Sequence, residues 1–162
     1  MERLWSPWRH EYISSAGSKN PNPVCIFCAA TRDPADDEEN LVLHRGQQNF
    51  VILNRYPYIS GHLMIAPYAH VGKLLDAPKS ATDEMMDLVK QCEHALRETY
   101  NPEGFNVGMN LGRVAGAGVA DHIHMHILPR WGGDTNFMST VGDTRVLPED
   151  LSTTYQKLRN KF

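Results

Sequence analysis

The sequence predicts a single α+β domain that combines a five-stranded antiparallel sheet with one long helix and a C-terminal helix. Three observations predict this fold class: short β-rich runs between turn residues, one stretch with apolar residues at helical spacing, and a run in which histidine alternates with apolar residues. A chain of 162 residues, of which 41% are hydrophobic, can bury one core. We therefore expect residues 1–162 to form one domain, with residues 1–40 as an N-terminal extension.

Three of the five predicted strands follow one another in the first half of the chain. They are separated by residues 45–48 and 55–61, which contain the glycine and proline typical of turns, so we expect an antiparallel meander. The predicted strands are residues 41–44, 49–54, 62–67, 105–111 and 122–128.

The long helix is predicted over residues 80–100, where apolar side chains recur every three or four residues and Asn101-Pro102 follows as a stop signal. The apolar positions are Met85, Leu88, Val89, Cys92, Ala95, Leu96 and Tyr100. This face should lie across the sheet. A shorter helix is predicted from Pro148 or Glu149 to the C-terminus. The first forty residues, rich in proline, asparagine and acidic residues, are predicted to be connections.

The charge and hydropathy patterns exclude several partners and locations. A net charge of −3 and a pI near 6.2 give no electrostatic reason to bind nucleic acid or an anionic membrane. The sequence has no run of about twenty apolar residues, and its N-terminus lacks the apolar segment of a signal peptide. We therefore expect a cytoplasmic protein that binds neither nucleic acid nor membranes.

The histidines of the predicted last strand indicate a functional site. His122, His124 and His126 occupy alternate positions, so a strand would place all three imidazoles on one face and apolar side chains on the other. Burial of three imidazoles without a task would cost desolvation free energy. They could together bind a catalytic metal, although neighbours ~6.7 Å apart on a strand suit one ion with ~2 Å bonds poorly.

A Cys-x-x-Cys pair at Cys25 and Cys28 forms a second candidate site. Two thiolates at this spacing can hold one zinc ion, and a structural zinc site needs two further ligands, for which His70 and His122 are the candidates. An empty metal knuckle and redox chemistry are the alternatives.

The glycine-rich residues 112–118, directly before the histidine run, form a third candidate site. Backbone amides between small residues can approach an anion closely, and Arg113 could add positive charge. The alternative is a flexible turn between two strands.

Residues 122–128, His-Ile-His-Met-His-Ile-Leu, match the HφHφHφφ signature of the histidine triad superfamily, in which φ is an apolar residue. Four flanking stretches make the chain most similar to the bacterial diadenosine tetraphosphate phosphorylase branch of that superfamily. These stretches are residues 4–9, 54–67, 105–112 and 129–137.

This resemblance implies a role for individual residues. His124 would be the nucleophile, and His126 would lie beside the α-phosphate and stabilise charge or the leaving group. Zinc would be held by Cys25, Cys28, His70 and His122. Asn54 would contact the ribose and His62 would line the same pocket, while Asn110, Gly116, Ala117 and Gly118 would cradle the phosphates. Relatives pair their sheets across a two-fold axis, which implies a homodimer.

One departure from the family pattern favours a particular reaction. Many hydrolase members have a glutamine after an Ala-Gly pair in the loop, whereas Ala115-Gly116 is followed here by Ala117-Gly118. We therefore predict nucleotidyl transfer through a covalent nucleotidyl-histidine, in which inorganic phosphate cleaves diadenosine tetraphosphate to ATP and ADP.

Two alternatives stay open at this point. The chain could hydrolyse dinucleoside polyphosphates or nucleoside phosphoramidates, or it could be a non-catalytic module that binds a purine nucleotide or zinc. The predicted mechanism requires no magnesium, and the sequence shows no cluster of carboxylates that would hold it.

Overall fold

A computed structural model describes residues 24–142 and 147–162 as five strands and five α-helices. The strands are β1 (Val42–Arg45), β2 (Asn49–Leu53), β3 (Leu63–Pro67), β4 (Gly104–Met109) and β5 (Met125–Arg130). The helices are α1 (Ile26–Ala30), α2 (Asp37–Asn40), α3 (Lys79–Tyr100), α4 (Phe137–Thr140) and α5 (Leu151–Leu158). Three short 3₁₀ turns lie at Pro34–Asp36, Leu74–Asp76 and Arg113–Ala115.

The five strands form one antiparallel sheet in the order β1-β2-β3-β5-β4. β1, β2 and β3 follow one another as the predicted meander, and β5 inserts between β3 and β4. All residues of β2 and β3 are buried, whereas β4 lies at the edge with half-buried and exposed residues. The prediction of an α+β fold with a five-stranded antiparallel sheet is confirmed.

Helix α3 packs across this sheet on β2, β3 and β5. Its apolar positions at helical spacing are buried, among them Met85, Cys92 and Leu96. Asn101 ends the helix in the left-handed region, at φ 46°, and its N–H donates to the carbonyl of Arg97. The predicted helix is therefore confirmed, and it begins one residue earlier than expected.

The histidine run begins outside the sheet, so the predicted strand over residues 122–128 is wrong at its start. β5 first pairs at Met125, which lies opposite Ile65 of β3. Two residues further along β3, Pro67 has no N–H and cannot extend the ladder. Ile123 instead donates its N–H to the carbonyl of Val71, 2.8 Å away. The chain from His122 to His124 thus approaches the sheet before it joins it.

Residues 26–40 are more regular than predicted: they form α1, a 3₁₀ turn and α2, and of these three the 3₁₀ turn has a side-chain cap. The Asp33 side chain accepts the N–H of Ala35 at 2.9 Å, and three acidic residues occupy the first turn of α2, where the helix dipole favours negative charge. The predicted connections at residues 20–23 and the family-like residues 4–9 lie outside the described residues.

The C-terminal helix is shorter than predicted, and α4, like α1 and α2, was not predicted. α5 begins after Asp150, whose carboxylate accepts the N–H of Thr153 at 2.7 Å, and ends four residues before the C-terminus. The four-residue helix α4 starts at a capping box between Asn136 and Ser139. Helices this short leave too few apolar repeats to be recognised from periodicity.

One cluster of buried apolar side chains extends from Phe27 of α1 to Leu158 of α5. Tyr155 of α5 also donates its hydroxyl to the carbonyl of Val42 at 3.1 Å, which ties the C-terminal helix to the first strand. Within residues 24–142 and 147–162, no helix is both long and apolar enough to cross a membrane. The domain limits of 1–162 and 1–40 stay predictions.

Glu84 of α3 holds the turn between β1 and β2. Its carboxylate accepts the N–H groups of Gln47 and Gln48 at 2.6 and 2.8 Å and the side-chain amide of Asn49 at 2.7 Å. A Cβ at Gly46 would lie 2.8 Å from one carboxylate oxygen, so glycine gives the carboxylate room. Burial alone would raise the pKa of Glu84, but these hydrogen bonds outweigh it and hold the pKa below its ordinary value.

We expect Glu84→Gln to lower the free energy of unfolding by about 1–2 kcal/mol at pH 7, because neutral hydrogen bonds replace charge-assisted ones. The folded-state pKa is depressed, so this contribution is present above the ordinary carboxyl pKa and is lost as the pH falls through the lower folded value. Urea unfolding at pH 7 and near pH 3 measures the difference, which should shrink in acid.

Asp83→Asn is the matched control, because Asp83 is the neighbouring helix residue and its side chain is 59% exposed. Its surface ion pair with Lys79 should contribute less than about 1 kcal/mol. Equal effects of the two substitutions at pH 7 would contradict the role of Glu84 in the turn.

Candidate active site and metal centre

A cavity of about 740 Å³ lies between α1, the end of β2 and the loop after β4. His124 and His126 face it from one side, and Asn54 with Arg55 faces it from the end of β2. Gly116, Gly118 and Arg113 line it from the loop. The cavity is large enough for a nucleotide-sized ligand.

The ring of His124 is held with one nitrogen as donor and the other as acceptor. Its Nδ1 lies 2.9 Å from the carbonyl oxygen of His122, and a carbonyl can only accept, so Nδ1 carries the proton and Nε2 carries the lone pair. His124 is 5% exposed, and burial lowers its pKa although the hydrogen bond to the His122 carbonyl acts in the opposite direction. The imidazole is therefore neutral at pH 7 and nucleophilic at Nε2.

His126 has the opposite arrangement, which a chain of hydrogen bonds imposes. The N–H of Tyr58 donates to Nδ1 of His62 at 3.2 Å, so Nε2 of His62 carries the proton. This Nε2 lies 2.9 Å from Nδ1 of His126 and donates to it. Nε2 of His126 therefore carries the proton. Two imidazoles whose ring centroids are 5.0 Å apart thus combine a lone pair on His124 with an N–H on His126.

His62 contacts His126, and Asn54 contacts His62 in turn. His62 is 1% exposed and lies behind His126 rather than on the cavity wall. Asn54 accepts the N–H of Tyr56 at 2.9 Å through its side-chain oxygen, and its amide nitrogen is 3.3 Å from Nδ1 of His62. Asn54 lines the cavity as well, and its contact with a ribose stays a prediction.

The loop after β4 brings only some of the predicted phosphate-binding residues to the cavity. Gly112 and Gly116 adopt φ values of 88° and 95°, which favour glycine, and these values turn the loop back toward the histidines. Gly116 and Gly118 line the cavity, whereas Asn110 and Ala117 do not. The side-chain amide of Asn110 instead faces the carbonyl of Gly116 at 3.4 Å and braces the loop.

Cys25, Cys28, His70 and His122 form a possible Cys/His metal site. Their four ligand atoms lie within 4.8 Å of one another, and this is the cluster of metal-ligand side chains found in the described parts of the chain. Sγ of Cys25 is 3.4 Å from Nδ1 of His122, and Sγ of Cys28 is 3.4 and 3.6 Å from Nδ1 of His70 and His122. Tetrahedral zinc with its usual bonds would separate sulfur and nitrogen ligands by about 3.6 Å. The residues therefore fit a zinc ion.

The second nitrogen of His122 is held in the way that metal-binding histidines require. Its Nε2 lies 2.8 Å from the carbonyl of Pro67 and donates to it, so Nδ1 presents its lone pair to the two sulfur atoms. His124 and His126 do not belong to the cluster. The geometry of the described residues thus gives no support to a catalytic metal held by all three histidines of the run.

Phe27 and Tyr58 were missed at the sequence level, as was Arg55, which lines the cavity. The ring of Phe27 lies 4.9 Å from His124 and 5.1 Å from His122, and Tyr58 lies 4.6 Å from His62 by ring centroids. Phe27 could have been noticed as one of the two apolar residues enclosed by the two cysteines. Nothing in the sequence around Tyr58 distinguishes its backbone N–H from others in the turn.

A domain with an antiparallel sheet, a long helix and two neighbouring histidines that face a cavity of nucleotide size is characteristic of HIT-like proteins. The family model described as "HIT domain" matches residues 36–133, and the chain belongs to this family, as the resemblance predicted. Cys25 and Cys28 precede the matched segment, so the possible metal site joins residues from inside and outside it.

Three relatives illustrate what the chain is similar to. It is 38% identical to a protein named AP-4-A phosphorylase from Mycobacterium tuberculosis, with 100% of this chain and 85% of the relative covered. It is 29% identical to an adenosine 5'-monophosphoramidase from Candida albicans, with 65% and 70% covered. Among solved structures, a Zn-bound histidine triad family protein from Mycobacterium smegmatis aligns with a TM-score of 0.66 at 26% identity, with 85% and 92% covered.

We expect the two neighbouring imidazoles to be opposite tautomers above pH 8. His124 should be protonated on Nδ1, whereas His62 and His126 should be protonated on Nε2, because each hydrogen-bond partner fixes the choice. Two-dimensional ¹⁵N NMR of the ring nitrogens measures this directly. A proton on Nε2 of His124 would contradict the arrangement, and exposed His94, whose Nε2 faces Glu98, provides the reference for a surface imidazole.

Proposed function

We propose that this chain is an enzyme that cleaves diadenosine tetraphosphate with inorganic phosphate and releases ATP and ADP. The observation that carries the proposal is the neutral His124, which lines the cavity next to His126 and whose hydrogen bond at Nδ1 leaves the lone pair on Nε2. The relative named AP-4-A phosphorylase, aligned over the whole chain, supports the choice of substrate.

The reaction proceeds in two displacements. Nε2 of His124 attacks the α-phosphorus of one adenylate, the bond from this phosphorus to the bridging oxygen breaks, and ATP leaves. An adenylyl group is then bound to His124 through a P–N bond. An oxygen of inorganic phosphate attacks the same phosphorus, the P–N bond breaks, and ADP leaves, so that His124 returns to its starting state.

The surrounding groups stabilise the charge that develops at phosphorus. The N–H on Nε2 of His126 donates to a phosphoryl or leaving-group oxygen, and the amides around Gly116 and Gly118 supply further donors. A single preorganised donor of this kind contributes about 3–4 kcal/mol to transition-state stabilisation. Arg55 and Arg113 line the same cavity and add positive charge toward a polyphosphate chain.

Hydrolysis of nucleoside phosphoramidates is the second candidate function. The similarity to an adenosine 5'-monophosphoramidase favours it, since the same histidine could take an adenylyl group from a P–N bond. Many hydrolases of the family have a glutamine after the Ala-Gly pair of this loop, and this chain has none after Ala115-Gly116. This difference favours phosphate over water as the second nucleophile.

We also propose that Cys25, Cys28, His70 and His122 hold a structural zinc ion. Four protein ligands at tetrahedral spacing close the coordination sphere and leave no position for a substrate. When bound, the ion supplies a cross-link between α1, the segment after β3 and the start of the histidine run. The Zn-bound relative from Mycobacterium smegmatis supports the choice of metal.

A homodimer is the third part of the proposal. β4 lies at the edge of the sheet and its central residues, Asn106, Val107 and Gly108, are exposed, so a second copy can meet it there. Light scattering should give twice the chain mass of 18.3 kDa, and Val107→Asp should return the mass to that of one chain.

A cytoplasmic location without nucleic-acid or membrane partners stays a prediction of the sequence.

We expect incubation with diadenosine tetraphosphate to yield ATP and ADP only when inorganic phosphate is present, without added magnesium. Anion-exchange chromatography of the products measures this. ATP and AMP formed without phosphate would replace the proposal by hydrolysis, and cleavage of an adenosine phosphoramidate alone would favour the second candidate function.

His124→Ala tests the nucleophile. We expect a rate loss of about 10⁴-fold or more, because no other group can form the covalent intermediate. His94→Ala, which replaces an exposed histidine of α3, is the control and should keep the wild-type rate. Retained turnover in His124→Ala would contradict the mechanism, and nucleotide binding without turnover in the wild type would indicate a non-catalytic module.

Metal analysis tests the zinc proposal independently of activity. We expect one zinc per chain in the wild type, its loss in Cys25→Ser and Cys28→Ser, and its retention in His124→Ala and His126→Ala. Because metal binding is coupled to folding, the cysteine variants should also melt at a lower temperature. If zinc were instead lost when His124 or His126 is replaced, the ion would be held by these two histidines rather than by the cysteines.

A further inference from the structure

We infer that Phe27 is a positioning residue that transmits the constraint of the metal centre to the ring of His124. The inference rests on the proposed function, because it takes His124 as the nucleophile. Phe27 is the third residue of Cys25-Ile26-Phe27-Cys28, so it lies between the two cysteines of the possible metal site.

The aromatic ring of Phe27 contacts both histidines that the mechanism separates into metal ligand and nucleophile. Its centroid lies 5.1 Å from that of His122, at an interplanar angle of 52°, and 4.9 Å from that of His124, at 37°. Phe27 is 1% exposed, and these distances are typical of packed aromatic pairs. One buried side chain therefore bridges the two functions.

Helix α1 cannot hold Phe27 in place by itself. It has five residues and no side-chain hydrogen bond at its N-cap, and helices this short are unstable without tertiary contacts. Phe27 is flanked by Cys25, the N-cap residue of α1, and by Cys28 within the helix, and the two sulfur atoms lie 3.4 and 3.6 Å from Nδ1 of His122. A metal bound by these atoms fixes α1, and hence Phe27, against the histidine run.

His124 needs such a contact because its hydrogen bond restrains only one atom. The contact from Nδ1 to the His122 carbonyl fixes that edge of the ring, so the tilt of the ring is set by the side chains packed against it, those of Phe27 and His126. Phe27 packs on the ring and restricts the tilt, which aims Nε2 at phosphorus. A misplacement of a reacting atom by about 1 Å can reduce a rate by about 10²-fold.

Phe27→Leu tests the inference, with Phe50→Leu as the matched control. Both phenylalanines belong to the buried core, and their rings are 6.4 Å apart, but among the described ring contacts Phe50 has none with a histidine. We expect Phe27→Leu to slow single-turnover formation of the nucleotidyl-histidine about 10-fold or more. KM should change less than about threefold, and the zinc content should stay the same. Phe50→Leu should lower the melting temperature by a similar amount and keep the wild-type rate.

Three outcomes would overturn the inference. Equal rate losses in the two variants would assign Phe27 a purely structural role. A change confined to KM would make Phe27 a nucleotide contact, and loss of zinc in Phe27→Leu would place its effect at the ligands. Phe27→Met places a flexible, unbranched apolar side chain without a ring there and gives the same readout if the leucine variant does not fold.

A double-substitution cycle tests the link to the metal. Phe27→Leu and Cys28→Ser should each slow formation of the intermediate, and the double variant should lose less than the product of the two factors, because both remove the same constraint. Independent, multiplicative losses would contradict the coupling. If the wild type forms no nucleotidyl-histidine at all, the proposed function fails, whereas an intermediate that forms equally fast in wild type and variants refutes the inference alone.

Discussion

The site depends on the missing amide hydrogen of Pro67. Because proline cannot donate to the strand ladder, β3 stops pairing with β5 there, and the chain from His122 to His124 leaves the sheet before it joins it. The carbonyl of Pro67 instead accepts a hydrogen bond from the ring N–H of His122. The backbone carbonyl of His122 in turn accepts one from the ring N–H of His124. A sheet that continued through this point would place the three imidazoles in one row, where they could not divide their contacts between a metal centre and a cavity.

Fixed donors and acceptors of the backbone give two neighbouring histidines different chemistry. A carbonyl on one side and the N–H of Tyr58 on the other decide which nitrogen of His124 and His126 carries the proton. Backbone groups do not titrate, so the assignment persists wherever the imidazoles themselves are neutral. The tautomers are thus set before a substrate binds. A mutation of His62, which contacts His126, can change them, whereas a change of surface charge cannot.

The sequence predicted the sheet and the long helix, because alternation and helical spacing are visible over many residues. It failed where one or two local contacts decide the conformation: the Asp33 cap in a segment read as a connection, the Asn136 capping box, and the departure of the histidine run at Pro67. Residue types and spacing nominated the four metal ligands, and the structure brings their atoms together. The contact of Phe27 with His124 could not be predicted, since it depends on how a five-residue helix packs.

The possible metal site also bears on the order in which the chain folds. Cys25 and His122 are 97 residues apart in sequence, and β1, β2, β3, α3 and β4 all lie between them. A ligand set of this kind does not exist in an unfolded chain, and an early ion could be held only by the local cysteine pair. Full coordination must therefore wait until β3 and the histidine run have met. An ion bound by all four residues would then close a long loop, as a disulfide would, and so stabilise completed molecules over partly folded ones.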